Sequence, residues 1–185
     1  MKITLLSAAL VAIMVCCAHF LRRHCPERRY RLLMKFFLIP YVLLDLLLSV
    51  LLREADPELP IVWLPGSAIF RMLGLNILSF SDLWQLLKGE FPREAFDFFT
   101  IHTILQNILV YIPLGFLVRE GFGRLRKGRI LLAGLCLSLV MEMSQLIFRL
   151  GWFEVDDLLL NILGACLGGW ISRKKEENMS EQVKR

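Results

Sequence analysis

MEMSQLIFRLGWFEVDDLLLN, residues 141–161, joins two apolar runs yet carries Glu142, Gln145, Arg149, Glu154, Asp156, Asp157 and Asn161. So many polar groups between stretches of oil mark a point where a chain leaves hydrocarbon, turns in water and re-enters. Gly151 supplies the turn. One helix is expected to rise with Glu142 and the next to descend with Asp157.

Outward from this turn the composition agrees. The 185 residues are 56% hydrophobic, with mean hydropathy +0.58. A soluble domain lies near 45–50% apolar, so the chain reads as an integral membrane protein. Its formal charge of +5 and pI near 9.1 do not indicate nucleic-acid binding. The basic residues form short clusters beside apolar spans, as a membrane topology requires. The cysteines are odd in number, form no CxxC and, apart from Cys25, lie inside apolar runs. They read as small apolar residues, with no metal and no cofactor implied.

Five segments are long enough to cross, at roughly 17–25 residues each: Ile3–Leu21, Leu32–Leu52, Ile101–Val118, Ile130–Phe148 and Val155–Ile171. The first has the length of a span rather than a signal peptide, and its positive cluster follows it. The fold class is an all-α integral membrane protein, a five-helix transmembrane bundle with an extracellular interfacial segment. Residues 1–52 hold two N-terminal spans, 53–100 the interfacial or re-entrant segment, 101–171 a three-helix core and 172–185 a cytoplasmic tail.

Charge sets the orientation. Arg22–Arg31 holds five Arg against one Glu, and Arg119–Arg129 five basic residues against Glu120; the tail begins Arg173-Lys-Lys. Arg53–Thr100 has four basic and seven acidic residues, and Arg149–Asp157 one basic and three acidic. Placing the basic segments in the cytoplasm puts the N-terminus outside and the C-terminus inside. A sixth span over Ile61–Phe80 would break that agreement, and it contains Pro65, Gly66, Arg71, Gly74 and Asn76. The segment is expected to lie in the interface or re-enter partway, as a spacer or as a lid. Ser81-Asp82 reads as a helix start. Trp63, Trp84 and Trp152 fall on the outer side, where indole rings favour the headgroup boundary.

With that orientation, depth follows at about 1.5 Å per residue. Glu142 falls in the outer half of span four, Gln145 one turn higher and Arg149 at the surface. Asp156 and Asp157 open span five, with Asn161 a turn deeper. His102 lies at the rim of span three, and Asn107 roughly 10 Å in. Asp45 lies in the outer half of span two. Apart from Lys35, the strongly polar groups within spans gather toward one leaflet.

Glu142, Gln145 and Arg149 share a helix face, as do Asp157, Asn161, Gly164 and Gly168. Gly164-x-x-x-Gly168 is a small-residue seam for close packing against span three or four. That packing would turn Asp157 and Asn161 toward Glu142. Pro113 is expected to bend span three, with Gly115 admitting a neighbour at the bend. Asn107 is placed to bond a carbonyl freed there.

NILVYIPLGFL (Asn107–Leu117), Glu142-x-x-Gln145 and EVDDLLLNILGACLGG (Glu154–Gly169) together resemble the VanZ-like family of bacterial membrane proteins. The resemblance covers roughly Asn76 to Trp170. It implies altered sensitivity to lipid-tailed glycopeptides such as teicoplanin. The family's usual Arg five residues before Asp156 is replaced by Gly151, its first acidic Asp by Glu154, and a proline by Ser79.

Three functional readings follow. In the first, Asn107, Glu142, Gln145, Arg149, Asp156, Asp157 and Asn161 bind the polar head of an amphiphile in the outer leaflet. Its chemistry is that of a membrane lipid, a lipid-linked wall precursor or a lipoglycopeptide. An intramembrane carboxylate costs roughly 2.5–3.5 kcal/mol on insertion scales, which marks Glu142 as functional; Arg149 and His102 can attract phosphate or carboxylate. In the second, His102 with Glu142 or Asp157 performs acid–base chemistry on a lipid. No HExxH, GxSxG or Gly-rich phosphate loop accompanies them. In the third, the polar groups only join helices. Nothing in the sequence sets an oligomeric state.

Overall fold

A computed structural model describes residues 2–51, 61–62, 65–68, 84, 88, 98–123, 127–150 and 153–183. The described elements are α1 (Lys2–His24), α2 (Glu27–Leu51), β1 (Ile61–Val62), α3 (Phe98–Phe122), α4 (Lys127–Phe148), β2 (Phe153–Glu154) and α5 (Val155–Val183). The protein is an all-α membrane protein. Among the described residues, four helices are long and apolar enough to cross a bilayer: Glu27–Leu51, Thr100–Phe122, Gly128–Phe148 and Val155–Arg173. Their outward faces carry exposed Phe36, Leu43, Ile147 and Leu163, as surfaces in contact with acyl chains do.

Local chemistry explains the boundaries. α1 ends with Arg22, Arg23 and His24 in its last turn, and α2 opens with Glu27; each charge opposes the helix dipole it meets. The turn between them is short, with the Tyr30 amide donating to the Pro26 carbonyl at 3.0 Å. α3 stops at Gly123, whose φ of 76° lets its amide reach back to the Arg119 carbonyl. α4 ends in a Schellman motif: Leu150 donates to the Gln145 carbonyl at 2.8 Å and Arg149 to Leu146 at 3.3 Å. Arg149 occupies the left-handed position, φ 55°, that glycine fills in most such caps.

The α3–α5 pair is the spine of the bundle. A side-chain carbon on Gly164 would strike the Ile108 carbonyl, one on Gly168 the Ile112 carbonyl, and one on Gly115 the Ala165 carbonyl. The small-residue seam therefore faces span three, and Gly115 admits α5. α4 closes on the other side, with Gly134 against Ala165 and Gly169 against Ile130. Van der Waals packing of this kind replaces the hydrophobic drive that helices lose in lipid. One core joins Tyr111, Leu114, Val118, Ile130, Leu137 and Met141; the other places Ala18, Tyr30 and Met34 around Phe116 and Leu117.

Several expectations need correction. α3 and α5 extend beyond Ile101–Val118 and Val155–Ile171, so Glu120 and Ser172 belong to packed helix and not to loop or tail. Glu120 is buried, and it accepts from Tyr30 at 2.7 Å, Ser172 at 3.0 Å and Arg22 at 3.1 Å. The buried polar groups of the helices are thus not confined to one end: this carboxylate ties α1, α2, α3 and α5 together at the opposite one. Pro113 lies inside a continuous α3. The Tyr41 hydroxyl bonds the Val110 carbonyl, next to the Leu109 carbonyl that Pro113 leaves without a donor.

Of the segment Ile61–Phe80, the described parts dock on the α4–α5 turn. β1 pairs in parallel with β2, Ile61 opposite Phe153 and Val62 opposite Glu154. Trp84 is exposed with the Lys88 ammonium 5.6 Å from its ring centre. The rest of that segment, the helix start at Ser81-Asp82, Trp63, Gly151 and Trp152 lie outside the described residues.

Candidate functional site

At the end of the bundle formed by the α4–α5 turn, polar groups from four helices meet. Glu142 and Gln145 come from α4, and both are buried. The Glu142 carboxylate accepts from the Glu154 amide at 3.3 Å, so it holds the turn that follows its own helix. One turn earlier Ser138 is fully buried and accepts from the Asn161 side-chain amide at 2.9 Å. Asn161 therefore reaches α4 at Ser138 and not at Glu142. Asp157 turns to α3, where the Asn107 amide donates to it at 2.6 Å. The Asn107 side-chain amide thus crosses to another helix. In a low-dielectric interior a charged acceptor gives the stronger bond.

Asp156 has a different task. Its carboxylate accepts from the Gly66 amide at 2.6 Å, the Ala68 amide at 2.7 Å and the Ser67 hydroxyl at 2.9 Å. Gly66, with φ 90°, shapes this short run of backbone donors into a cradle for an anion. Asp156 thus pins residues 65–68 of the long connection over the start of α5. Arg149 is exposed at the end of α4, outside the buried cluster, and His102 is half-buried in α3.

Tyr111 lies at the centre, 2% exposed. Its hydroxyl lies against Ser138, and the carboxylates of Asp45, Glu142 and Asp157 are within electrostatic reach. Three buried polar atoms, Asp45 Oδ2 on α2, Gln145 Oε1 on α4 and Asn161 Oδ1 on α5, have no hydrogen-bond partner within the protein. Each such atom costs about 1–3 kcal/mol if left unmet, and native proteins keep few of them.

The structure adds Tyr111, Tyr41, Ser138 and Ser67, which sequence spacing did not single out, to the neighbourhood of Asn107, Glu142, Asp156, Asp157 and Asn161, which it did. Tyr and Ser are unremarkable in apolar helices. The available signal was position: Ser138 lies one turn before Glu142 and Tyr111 one turn after Asn107.

The fold and cluster define a class: a multi-helix membrane protein with a buried, acidic polar site at one end. The comparisons identify the family. The VanZ/LLP1 family model matches residues 41–175, and the chain belongs to that family. It is similar to "Protein VanZ" of Enterococcus faecium, 32% identical over 111 residues, which is 58% of this chain. The chain spans 63% of that relative's length. No solved structure matches.

Proposed function

We propose that the protein spans the bacterial cytoplasmic membrane five times, α1 included, with its N-terminus outside and C-terminus in the cytoplasm. The cluster then lies in the outer leaflet, where it binds the polar head of an amphiphile: a membrane lipid, a lipid-linked wall precursor or a lipoglycopeptide. In cells this binding lowers susceptibility to lipoglycopeptides such as teicoplanin.

One observation carries the reading. Buried Asp45, Gln145 and Asn161, on α2, α4 and α5, each keep a polar atom without a partner in the protein, and the carboxylates of Asp45, Glu142 and Asp157 lie within electrostatic reach of Tyr111, an expensive arrangement for groups that merely join helices. Asn107, Glu142, Gln145, Asp157 and Asn161 supply its walls. Asp156 keeps residues 65–68 against the rim, and Arg149 at the surface meets anionic parts of the ligand. Membership in the VanZ/LLP1 family supports the link to glycopeptides. Loops with five Arg against one Glu, and five basic residues against Glu120, support the orientation.

The test is expression in a susceptible host. Teicoplanin tolerance should rise more than tolerance of vancomycin, which lacks the lipid tail; equal shifts reject recognition of the tail. Glu142→Gln and Asp157→Asn should each abolish the teicoplanin shift at unchanged protein level. A shift that survives both reduces the cluster to a structural role.

A further inference from the structure

The first turns of α2 enclose a second site, at the other end of the bundle from Glu142 and Asp157. Glu27, Arg28, Arg31, Leu32 and Lys35 line a cavity of about 450 Å³, within the range of about 300–1,000 Å³ that small-molecule sites occupy. Tyr30, among these residues in sequence, donates to the buried Glu120 carboxylate, which places the cavity at that end.

Three cations meet one carboxylate here. Glu27 is engaged by Arg31, one helical turn on. Among the described lining residues the balance is therefore two positive charges. The end of α3 holds two of the cations in position. The Lys35 ammonium stands 4.6 Å from the centre of the Phe122 ring, and a side-chain carbon on Gly123 would come within 3.2 Å of the Arg31 guanidinium.

An apolar stripe leaves the cavity at Leu32. That residue shares a helix face with Phe36, Ile39 and Leu43, and all four are more than half exposed on a helix long and apolar enough to cross a bilayer. A phosphate carrying acyl chains matches both parts: its oxygens suit guanidinium and ammonium donors, and its chains suit the stripe. A choline or ethanolamine head would bring a further cation to the three already there. A nucleic acid would meet the cations and leave the stripe without a match.

We propose that this groove binds an anionic phospholipid, its phosphate held by Arg28, Arg31 and Lys35 and an acyl chain lying along Leu32, Phe36, Ile39 and Leu43. With the orientation proposed above, the lipid comes from the inner leaflet. The site is separate from the outer cluster, so it stands or falls independently of the amphiphile reading. Basic residues beside a span also orient it, but for that purpose any face of the helix serves. Arg29 supplies the contrast: it is exposed beside Arg28 yet does not line the cavity.

Native mass spectrometry of the full chain tests this. The protein is released from micelles holding equal amounts of phosphatidylglycerol, phosphatidylcholine and phosphatidylethanolamine with identical acyl chains. Phosphatidylglycerol should be retained about tenfold over either zwitterionic lipid, the effect of one set of charge-assisted hydrogen bonds. Arg28→Gln should cut that preference about fivefold, one cation's share beside an anionic lipid. Arg29→Gln removes the same charge one residue along and should leave the preference intact.

Equal retention of the three lipids overturns the assignment. So does a preference that Arg28→Gln lowers no more than Arg29→Gln, which would reduce the cations to diffuse surface charge. A millimolar excess of ammonium phosphate should leave the lipid in place; displacement by it would make free phosphate the ligand and overturn the lipid.

Discussion

Asn107 and Asp157 join α3 to α5 by a 2.6 Å hydrogen bond from amide to carboxylate, next to Ile108 and about two turns before Gly164, where the glycine seam begins. The bond and the seam position the same pair of helices, one by direction and the other by closeness. Replacing Asn107 by Leu keeps the volume and removes the donor. A loss of about 1.5–3 kcal/mol is expected for a hydrogen bond to a charged group, read as a lower unfolding midpoint in micelles. In an Asp157→Leu background the same change should cost far less. An equal cost in both backgrounds would show that the two residues are not coupled.

Glycines in this chain differ sharply in what they tolerate. A methyl on Gly168 meets backbone atoms of Ile112 and Phe116, whereas one on Gly128 meets nothing within 4 Å. Gly168→Ala should cost about 1–3 kcal/mol by forced separation of α3 and α5. Gly128→Ala should be neutral or stabilise by up to about 1 kcal/mol, since alanine orders a helix more cheaply. Thermal midpoints of the two variants, measured side by side, check the contrast.

Asp156 uses both carboxylate oxygens: Oδ1 for Gly66, and Oδ2 for Ser67 and Ala68. An asparagine offers one oxygen and confronts a donor with its amide. Asp156→Asn should therefore release residues 65–68. Hydrogen exchange at the Gly66 and Ala68 amides should accelerate by about tenfold or more, the equivalent of 1.4 kcal/mol, while α3 amides stay protected. Unchanged exchange at Gly66 and Ala68 would contradict the clasp.

Arg149 sits in a left-handed backbone conformation that costs a side-chain-bearing residue about 1–2 kcal/mol. Arg149→Gly should raise stability by about 1 kcal/mol. A teicoplanin shift lost in this sturdier variant would then report on the guanidinium itself and not on misfolding.

Much of the helical layout could be read from hydropathy, because α2 to α5 are apolar over bilayer length. The ends were less legible. Where the span Ile101–Val118 is expected, the helix runs Phe98–Phe122, since Glu120 is satisfied by three partners. Glu120 looked like a loop charge because its donors, Arg22, Tyr30 and Ser172, are 98, 90 and 52 residues away. The site was half visible for the same reason. Helical spacing placed Glu142 with Gln145, and Asp157 with Asn161, on shared faces, but a face does not name its partner. Neither Asn107 with Asp157 nor Ser138 with Asn161 follows from periodicity. The Asp156 clasp depends on Gly66 in a segment that hydropathy describes only as too oily for water.

That clasp also sets an order of events during biosynthesis. The donors at Gly66 and Ala68 leave the ribosome 90 and 88 residues before the carboxylate that will receive them. At translation speeds of roughly 5–20 residues per second they wait some 5–20 s. Throughout that interval the donors at Gly66 and Ala68 have no carboxylate to meet. Closure must follow synthesis of the α4–α5 turn, so the start of α5 fastens a segment made long before it.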